Sequence, residues 1–179
     1  MKANSTKKLV LSGLLIALVF LATYFTKIPT PLPGGYFNLG DAVIMLAAAF
    51  LGPIGGLIAG SVGSALADLA YGALLFAPIT FVVKGIEGLA AGLLISKMRK
   101  TGGLKHGRLI AAVIAGAVIM VAGYFLAEAF LLGFFDETFG LTAAVAELLP
   151  NSVQGLLSAV LGYILTLVLN RTGIDKYLM

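Results

Sequence analysis

Two charged side chains stand one helical turn apart inside an otherwise apolar segment of the chain. Lys84 and Glu87 belong to residues 81–94, FVVKGIEGLAAGLL, which have the composition of a membrane helix. At a spacing of three residues the two side chains share a helix face and can form an ion pair. A lone charge at the centre of a bilayer costs at least ~2.5–3.5 kcal/mol, so helices keep such residues where they face a protein interior or a wet cavity. The pair therefore predicts a polar binding site enclosed by membrane helices.

The overall composition supports this interpretation. Of the 179 residues, 60% are apolar and 11% are charged, and the mean hydropathy is +1.06, all far from the values of soluble proteins. The length allows about six spans of ~20 residues joined by short connections. We therefore predict one domain, residues 1–179, that is an all-α integral membrane protein built as a bundle of six transmembrane helices.

Glycine, proline and charged residues divide the chain and set the predicted helix boundaries. Pro78 is placed in the first turn of the fourth helix, where proline fits, and the last helix is expected to begin near Pro150. Asn38 is predicted to cap the second helix, with Asp41 at its positive end. The six helices are expected at about 6–26, 39–51, 54–71, 78–96, 109–134 and 150–169. Asp136, Glu137 and Glu147 then fall in the outer loop before the last helix.

Basic residues indicate the orientation of the helices. Ten of the twelve Lys and Arg side chains fall within residues 2–8, 97–108 and 171–176. By the positive-inside rule these regions are cytoplasmic, so we predict that both termini are cytoplasmic and that the protein is a multi-pass protein of the cell membrane. Such runs also occur in nucleic-acid-binding proteins, but beside membrane spans topology explains them better, and no nucleic acid is predicted as a partner.

With this topology, polar side chains gather in the outer halves of the predicted helices. We expect them to line one cavity that opens outward. Asp41 and Asp68 lie near the same level, and their types fit either helix capping or ligand contact. The predicted substrate-binding residues are Asn38, Lys84, Glu87, Tyr124, Glu128, Asn151 and Gln154.

Motifs of common enzymes are missing from the sequence. It has no P-loop, no nucleophile elbow with triad partners and no paired-histidine zinc motif. It also has no cysteine and a single histidine. We therefore predict a protein that is not an enzyme, without a cofactor or metal, that binds a small polar molecule.

Three segments resemble a known family. They are residues 36–41 (YFNLGD), 83–92 (VKGIEGLAAG) and 149–155 (LPNSVQG). In this order and spacing, over nearly the full length, the chain resembles the substrate-binding S component of energy-coupling-factor (ECF) vitamin transporters, which are ABC importers.

The resemblance implies high-affinity binding of one vitamin near the outer surface, under a lid formed by the loop between the first two helices. Pro33, Tyr36 and Phe37 fall in that loop, where the two aromatic side chains fit either a roof over the cavity or the membrane interface. It also implies docking through Gly13 and Ala17 to a transmembrane coupling subunit (EcfT), which two ATPase subunits serve. From spacing alone, this small-residue pair favours packing within the chain, and many family members have alanine in place of Gly13.

The sequence leaves several vitamins as candidate substrates. Glu128 with Tyr124 and the two amides of the last helix suits hydroxymethylpyrimidine or a vitamin B6 form, whereas Lys84 suits the carboxylate of pantothenate unless Glu87 neutralises it. A small neutral heteroaromatic vitamin is favoured. The alternatives are a stand-alone proton-coupled carrier that titrates Glu128 or Asp68, and a structural membrane subunit without a ligand.

Overall fold

Five long helices form most of the computed structural model, which describes residues 2–30, 35–99 and 106–172. Each of the five contains a segment long and apolar enough to cross a membrane. Two short antiparallel strands, β1 (Ile28–Pro29) and β2 (Tyr36–Phe37), follow the first helix, and a 3-10 turn (Leu132–Phe134) follows the fourth. The helices are α1 (Lys2–Phe25), α2 (Gly40–Tyr71), α3 (Phe76–Arg99), α4 (His106–Phe130) and α5 (Leu141–Arg171).

A chain reversal divides α2 into two halves, residues 40–51 and 53–71. Gly52 has φ 76° and ψ −168°, a left-handed conformation that glycine adopts without strain. A Cβ atom on Gly60 would lie 3.3 Å from Cγ2 of Ile44. In a straight helix these residues, sixteen apart, would be separated by about 24 Å. The halves therefore fold back on each other, at the turn that the sequence predicts.

The first half of α2 is the centre of the bundle. Residues 40–50 are all buried, and at 1.5 Å per residue this half is about 18 Å long, shorter than the ~30 Å core of a bilayer. It packs against Leu15 of α1. It also contacts Ala91, Val113 and Ala159, which belong to α3, α4 and α5. Because protein surrounds it, this half can be apolar on every side without meeting lipid.

Glycines bring the second half of α2 against α3. A Cβ on Gly56 would lie 2.5 Å from the carbonyl oxygen of Gly88, and a Cβ on Gly60 would lie 2.3 Å from that of Lys84. The two backbones are thus in direct contact, as small residues permit between membrane helices. This packing holds α3 with Lys84 and Glu87 facing the interior.

The last two helices differ from their predicted limits. The expectation that a helix starts at Pro150 is wrong, because α5 begins at Leu141 and continues through the proline. Residues 141–149, LTAAVAELL, are mostly good helix formers. Glu147 therefore lies in a helix and not in a loop. The fourth helix, α4, ends at Phe130, and the 3-10 turn covers the remainder of its predicted length.

One face of α1 has no partner within the described chain. Gly13 and Ala17 are exposed, and a Cβ on Gly13 would meet nothing within 4 Å. The expectation of internal packing at this pair is therefore wrong. The opposite face of α1 makes the contact, since a Cβ on Gly63 would lie 2.8 Å from the carbonyl oxygen of Ile16 and from the side chain of Val19.

Candidate functional site

A narrow polar cleft lies at the end of the bundle where α1 ends and α2 begins. All five helices and the segment before α2 contribute to its wall. The cleft has a volume of about 430 Å³ measured out to its mouth. Of the predicted residues, the wall contains Tyr36, Asn38, Lys84, Tyr124, Glu128, Asn151 and Gln154.

Lys84 is the centre of a buried ion-pair cluster at the base of the cleft. Its Nζ donates to Oδ1 of Asp41 and lies 3.5 Å from Oε2 of Glu87. All three side chains are at most 2% exposed. The predicted pairing of Lys84 with Glu87 is therefore confirmed, and Asp41, which the sequence places near a helix start, is a second partner. Glu87 lies behind Lys84 and is not part of the cleft wall.

Gln154 connects α5 to the start of α2. Its Oε1 accepts the backbone N–H of Asn38 at 2.8 Å, and its Nε2 donates to Oδ2 of Asp41 at 2.8 Å. The N-cap of α2 is Leu39 and not Asn38 as predicted. The side chain of Asn38 instead accepts the N–H of Gly40 at 2.8 Å. These bonds hold the cleft floor in place and occupy most of the hydrogen-bonding capacity of Gln154.

The segment before α2 closes the cleft through Tyr36. The Tyr36 hydroxyl donates to Oδ1 of Asp68, and burial together with the nearby Asp68 carboxylate raises the pKa of Tyr36, so the hydroxyl keeps its proton. The Nζ atom of Lys27 lies 3.5 Å from the ring centroid of Tyr71 and 4.0 Å from that of Tyr24. These cation–π contacts join the ends of α1 and α2 beside the lid.

Phe37, the second residue of the predicted lid, lies outside the cleft. It faces an apolar hollow that it shares with Pro150 and Val153. Tyr36 and Phe37 are consecutive on a strand and point to opposite faces, so Phe37 does not roof the cleft as Tyr36 does. Pro33 lies outside the described residues.

Aromatic rings form one side of the cleft. The Tyr124 hydroxyl is 2.8 Å from Oγ1 of Thr80, and the Tyr124 ring lies 6.5 Å from that of Phe76. The Nζ of Lys84 lies 5.4 Å from the Tyr124 ring centroid. A flat ligand can stack on such a wall while its edges reach the polar groups opposite.

Four buried polar atoms in the cleft wall have no hydrogen-bond partner among the described residues. Native proteins leave few such atoms unpaired, so each needs an explanation. Two carboxyls, those of Glu128 and Glu147, line the same cleft. A polar ligand would supply the missing partners. The atoms are Thr23 Oγ1, Ser64 Oγ, Asp68 Oδ2 and Glu128 Oε2.

Several wall residues were not predicted as site residues. Ser64 and Asp68 could have been found, because they continue the i+4 row of Gly56 and Gly60 toward the outer end of the helix. No sequence pattern marks Thr23 or Thr80, and Glu147 was assigned to a loop. In the described ranges, no three histidine, cysteine or acidic side chains are grouped to hold a metal ion.

Comparison with known proteins gives consistent results. The model of the family "ECF-type riboflavin transporter, S component" matches residues 3–171. An uncharacterized protein of Pyrococcus woesei is 38% identical over 144 residues, which cover 80% of this chain and 88% of that protein. A UPF0397 protein of Lactococcus lactis subsp. cremoris is 36% identical over 106 residues, 58% of this chain and 57% of its own length.

Solved structures show the same fold. The S component of a bacterial ECF transporter matches 94% of this chain and 98% of its own with a TM-score of 0.71 at 19% identity. An S component for biotin matches 92% of this chain and 93% of its own with a TM-score of 0.62 at 20% identity. The resemblance inferred from the three segments is thus confirmed. Because the family model covers nearly the whole sequence, this chain belongs to the family of ECF-type riboflavin transporter S components.

Proposed function

We propose that this chain is the substrate-binding subunit of an ECF-type ABC importer. It captures a small vitamin or vitamin precursor outside the cell and releases it inward, with a transmembrane coupling subunit and two ATPase subunits that hydrolyse ATP. The observation that carries this proposal is the set of unpaired polar atoms in the cleft wall. Leaving a buried polar atom unpaired costs about 1–3 kcal/mol, so a ligand that pairs with several of them binds tightly.

The proposed topology has six crossings in the cell membrane. The reversal at Gly52 supports this number, since each half of α2 runs opposite to the other. The first and last described residues then lie at the same end of the bundle as the turn at Gly52. The basic residues Lys8, Arg108 and Arg171 lie at this end too. The positive-inside rule makes this side cytoplasmic and opens the cleft outward.

The proposed substrate is a heteroaromatic vitamin or precursor, with hydroxymethylpyrimidine or a vitamin B6 form favoured. The rings of Phe76 and Tyr124 offer a stacking surface, and Glu128 and Asn151 offer hydrogen bonds at the edge. Pantothenate is disfavoured, because Lys84 already pairs with Asp41 and with a second carboxylate. Riboflavin is the second candidate, because the matched family is described as a riboflavin transporter family. Its three fused rings and polyol chain need a wider cleft than a single ring does.

Two measurements test this proposal. Denaturing the purified chain and identifying the released small molecule by mass spectrometry names the substrate. Reconstitution with and without the coupling subunit and ATPases tests the mode of transport. The proposal predicts one ligand per chain, and uptake only when the module and ATP are both present.

A stand-alone proton-coupled carrier is the second candidate for the mode of transport. Buried carboxyls of Glu128 and Asp68 in the cleft favour it, because such groups serve as proton relays in membrane carriers. Uptake driven by a pH gradient in vesicles without ATPase subunits would support it. A structural subunit without a ligand predicts instead that Glu128→Gln and Asn151→Ala change only stability.

A further inference from the structure

Acidic side chains outnumber basic ones in and around the cleft. The basic groups are Lys27 and Lys84. The wall itself contains three acidic residues, and two more lie at its base. The acidic residues are Asp41, Asp68, Glu87, Glu128 and Glu147.

Both lysines already have partners away from Glu128. Lys84 pairs with Asp41 and Glu87. The Nζ of Lys27 lies over the rings of Tyr24 and Tyr71. The positive charge of the site is thus concentrated around α2 and α3.

Glu128 lies on the other side, on α4. Its side chain is 3% exposed and faces the cleft, and its Oε2 has no hydrogen-bond partner among the described residues. Its interaction with Glu147 of α5 is repulsive when both are ionised. A buried carboxylate is unfavourable without a nearby positive charge. The cleft therefore has a position where a cation improves the electrostatics and an anion worsens them.

We propose that the substrate binds as a cation, a protonated amine or nitrogen heterocycle whose N–H donates to Glu128. This inference rests on the proposed function and narrows its substrate class. It replaces the neutral ring that the sequence favours, because Glu128 and Glu147 both line the cleft in the folded protein. The aromatic wall of Phe76 and Tyr124 also suits a charged ring, since cations are attracted to aromatic faces.

Ligands that share one ring but differ in charge test the proposal. Isothermal titration calorimetry on the full chain in lipid nanodiscs would compare pyridoxamine, pyridoxine and 4-pyridoxate. We expect the cation pyridoxamine to bind tenfold or more tightly than the neutral pyridoxine, and the carboxylate 4-pyridoxate to bind most weakly. Glu128→Gln should weaken binding of the cation about 10- to 100-fold and that of the neutral ligand less than threefold.

Two further variants make the result specific. Glu137→Gln removes an exposed carboxyl outside the cleft and should leave every affinity unchanged. Glu128→Asp keeps the charge and should keep the preference for the cation, which separates loss of charge from loss of fold if Glu128→Gln is unstable. A preference that survives in a folded Glu128→Gln protein would overturn the proposal.

Different results would overturn the cation proposal and the proposed function. Equal or tighter binding of the neutral or anionic ligand would overturn the cation proposal and leave vitamin capture intact. If no probe binds, the molecule released from the purified chain decides, since a cation supports the proposal and a neutral or anionic molecule contradicts it. A wild-type chain that carries no ligand and binds no probe would contradict vitamin capture itself.

Discussion

At the level of single residues, Lys84 compensates two carboxylates that the apolar bundle would otherwise bury alone. Asp41 and Glu87 are both within contact of its Nζ, and the three side chains are almost completely shielded from solvent. Removing one partner of a buried ion pair leaves an uncompensated charge, which is far more costly than removing the whole pair.

We therefore expect Lys84→Met to destabilise the protein by about 3–5 kcal/mol. Adding Asp41→Asn should recover part of the loss, because one of the two unpaired carboxylates is then neutral. Thermal unfolding in detergent measures both effects. Lys8→Met, at an exposed site on α1, is the matched control. An unchanged melting temperature in the Lys84→Met protein would show that the cluster does not stabilise the fold.

The hydrogen bond from Tyr36 to Asp68 should control how long a ligand stays bound. Tyr36→Phe keeps the ring but removes the bond to the carboxylate, a loss of about 1.5–3 kcal/mol for a bond to a charged group. We expect the ligand to dissociate at least fivefold faster, measured by stopped-flow fluorescence or by filter binding. Tyr163→Phe removes a hydroxyl bonded to His106 at the other end of the bundle. If it changed the dissociation rate equally, the lid would not be the cause.

Residue types and helical spacing were enough to find much of the cleft wall. Lys84, Tyr124, Glu128 and Gln154 stand out because they are polar within apolar helices. The same reasoning could not separate a residue that lines the cleft from one that supports it. Glu87 shows this, since it lies one turn from Lys84 but behind it.

At the level of the helices, close backbone contact between the second half of α2 and α3 positions the ion-pair cluster. The contact depends on glycine at both surfaces, since a Cβ on Gly88 would lie only 2.2 Å from the backbone carbonyl oxygen of Gly56.

Gly88→Ala should therefore force the two helices apart and lower stability by about 1–3 kcal/mol, although alanine is the better helix former. Gly107→Ala is the control, because a Cβ there meets nothing within 4 Å. Chemical or thermal unfolding compares them. Equal stability of the two variants would rule out the proposed role of the glycine contact.

The exposed face of α1 should serve docking to the coupling subunit and not ligand binding. We expect Ala17→Leu and Gly13→Leu to leave ligand affinity unchanged, since neither residue approaches the cleft, and to abolish ATP-dependent uptake in reconstituted vesicles. Ala111→Leu adds the same bulk to an exposed position on α4 and should leave ATP-dependent uptake unchanged. Normal uptake by the Ala17→Leu protein would exclude this face as the docking surface.

Helix limits were harder to predict than helix positions. The turn at Gly52 was recognisable because glycine and proline adjoin there between apolar runs. The start of α5 was not, because proline is common in a first turn, whereas in this chain the helix-forming residues before Pro150 extend the helix. That error moved Glu147 into a loop and removed it from the predicted cleft.

At the level of the whole molecule, hydropathy predicted the class of protein. An apolar composition with few charges specifies a helical membrane bundle, and the family match and fold agree with it. The identity of the ligand did not follow. It depends on how charges from α4 and α5 combine, and that combination requires their arrangement in space.

The absence of native cysteine makes the orientation easy to test. We expect a membrane-impermeant maleimide to label Glu137→Cys on intact cells and Lys8→Cys only after permeabilisation, because both positions are exposed and they lie at opposite ends of the bundle. Uptake assays on each variant would show that the protein is still native. The reverse labelling pattern would place the cleft on the cytoplasmic side.

Native mass spectrometry of the purified chain tests ligand capture most directly. We predict one small molecule bound per wild-type chain, and loss of that mass in Glu128→Gln but not in Glu137→Gln. A wild-type chain that is always empty would contradict capture through this cleft, and a bound mass that survives in Glu128→Gln would contradict the role of Glu128 in binding.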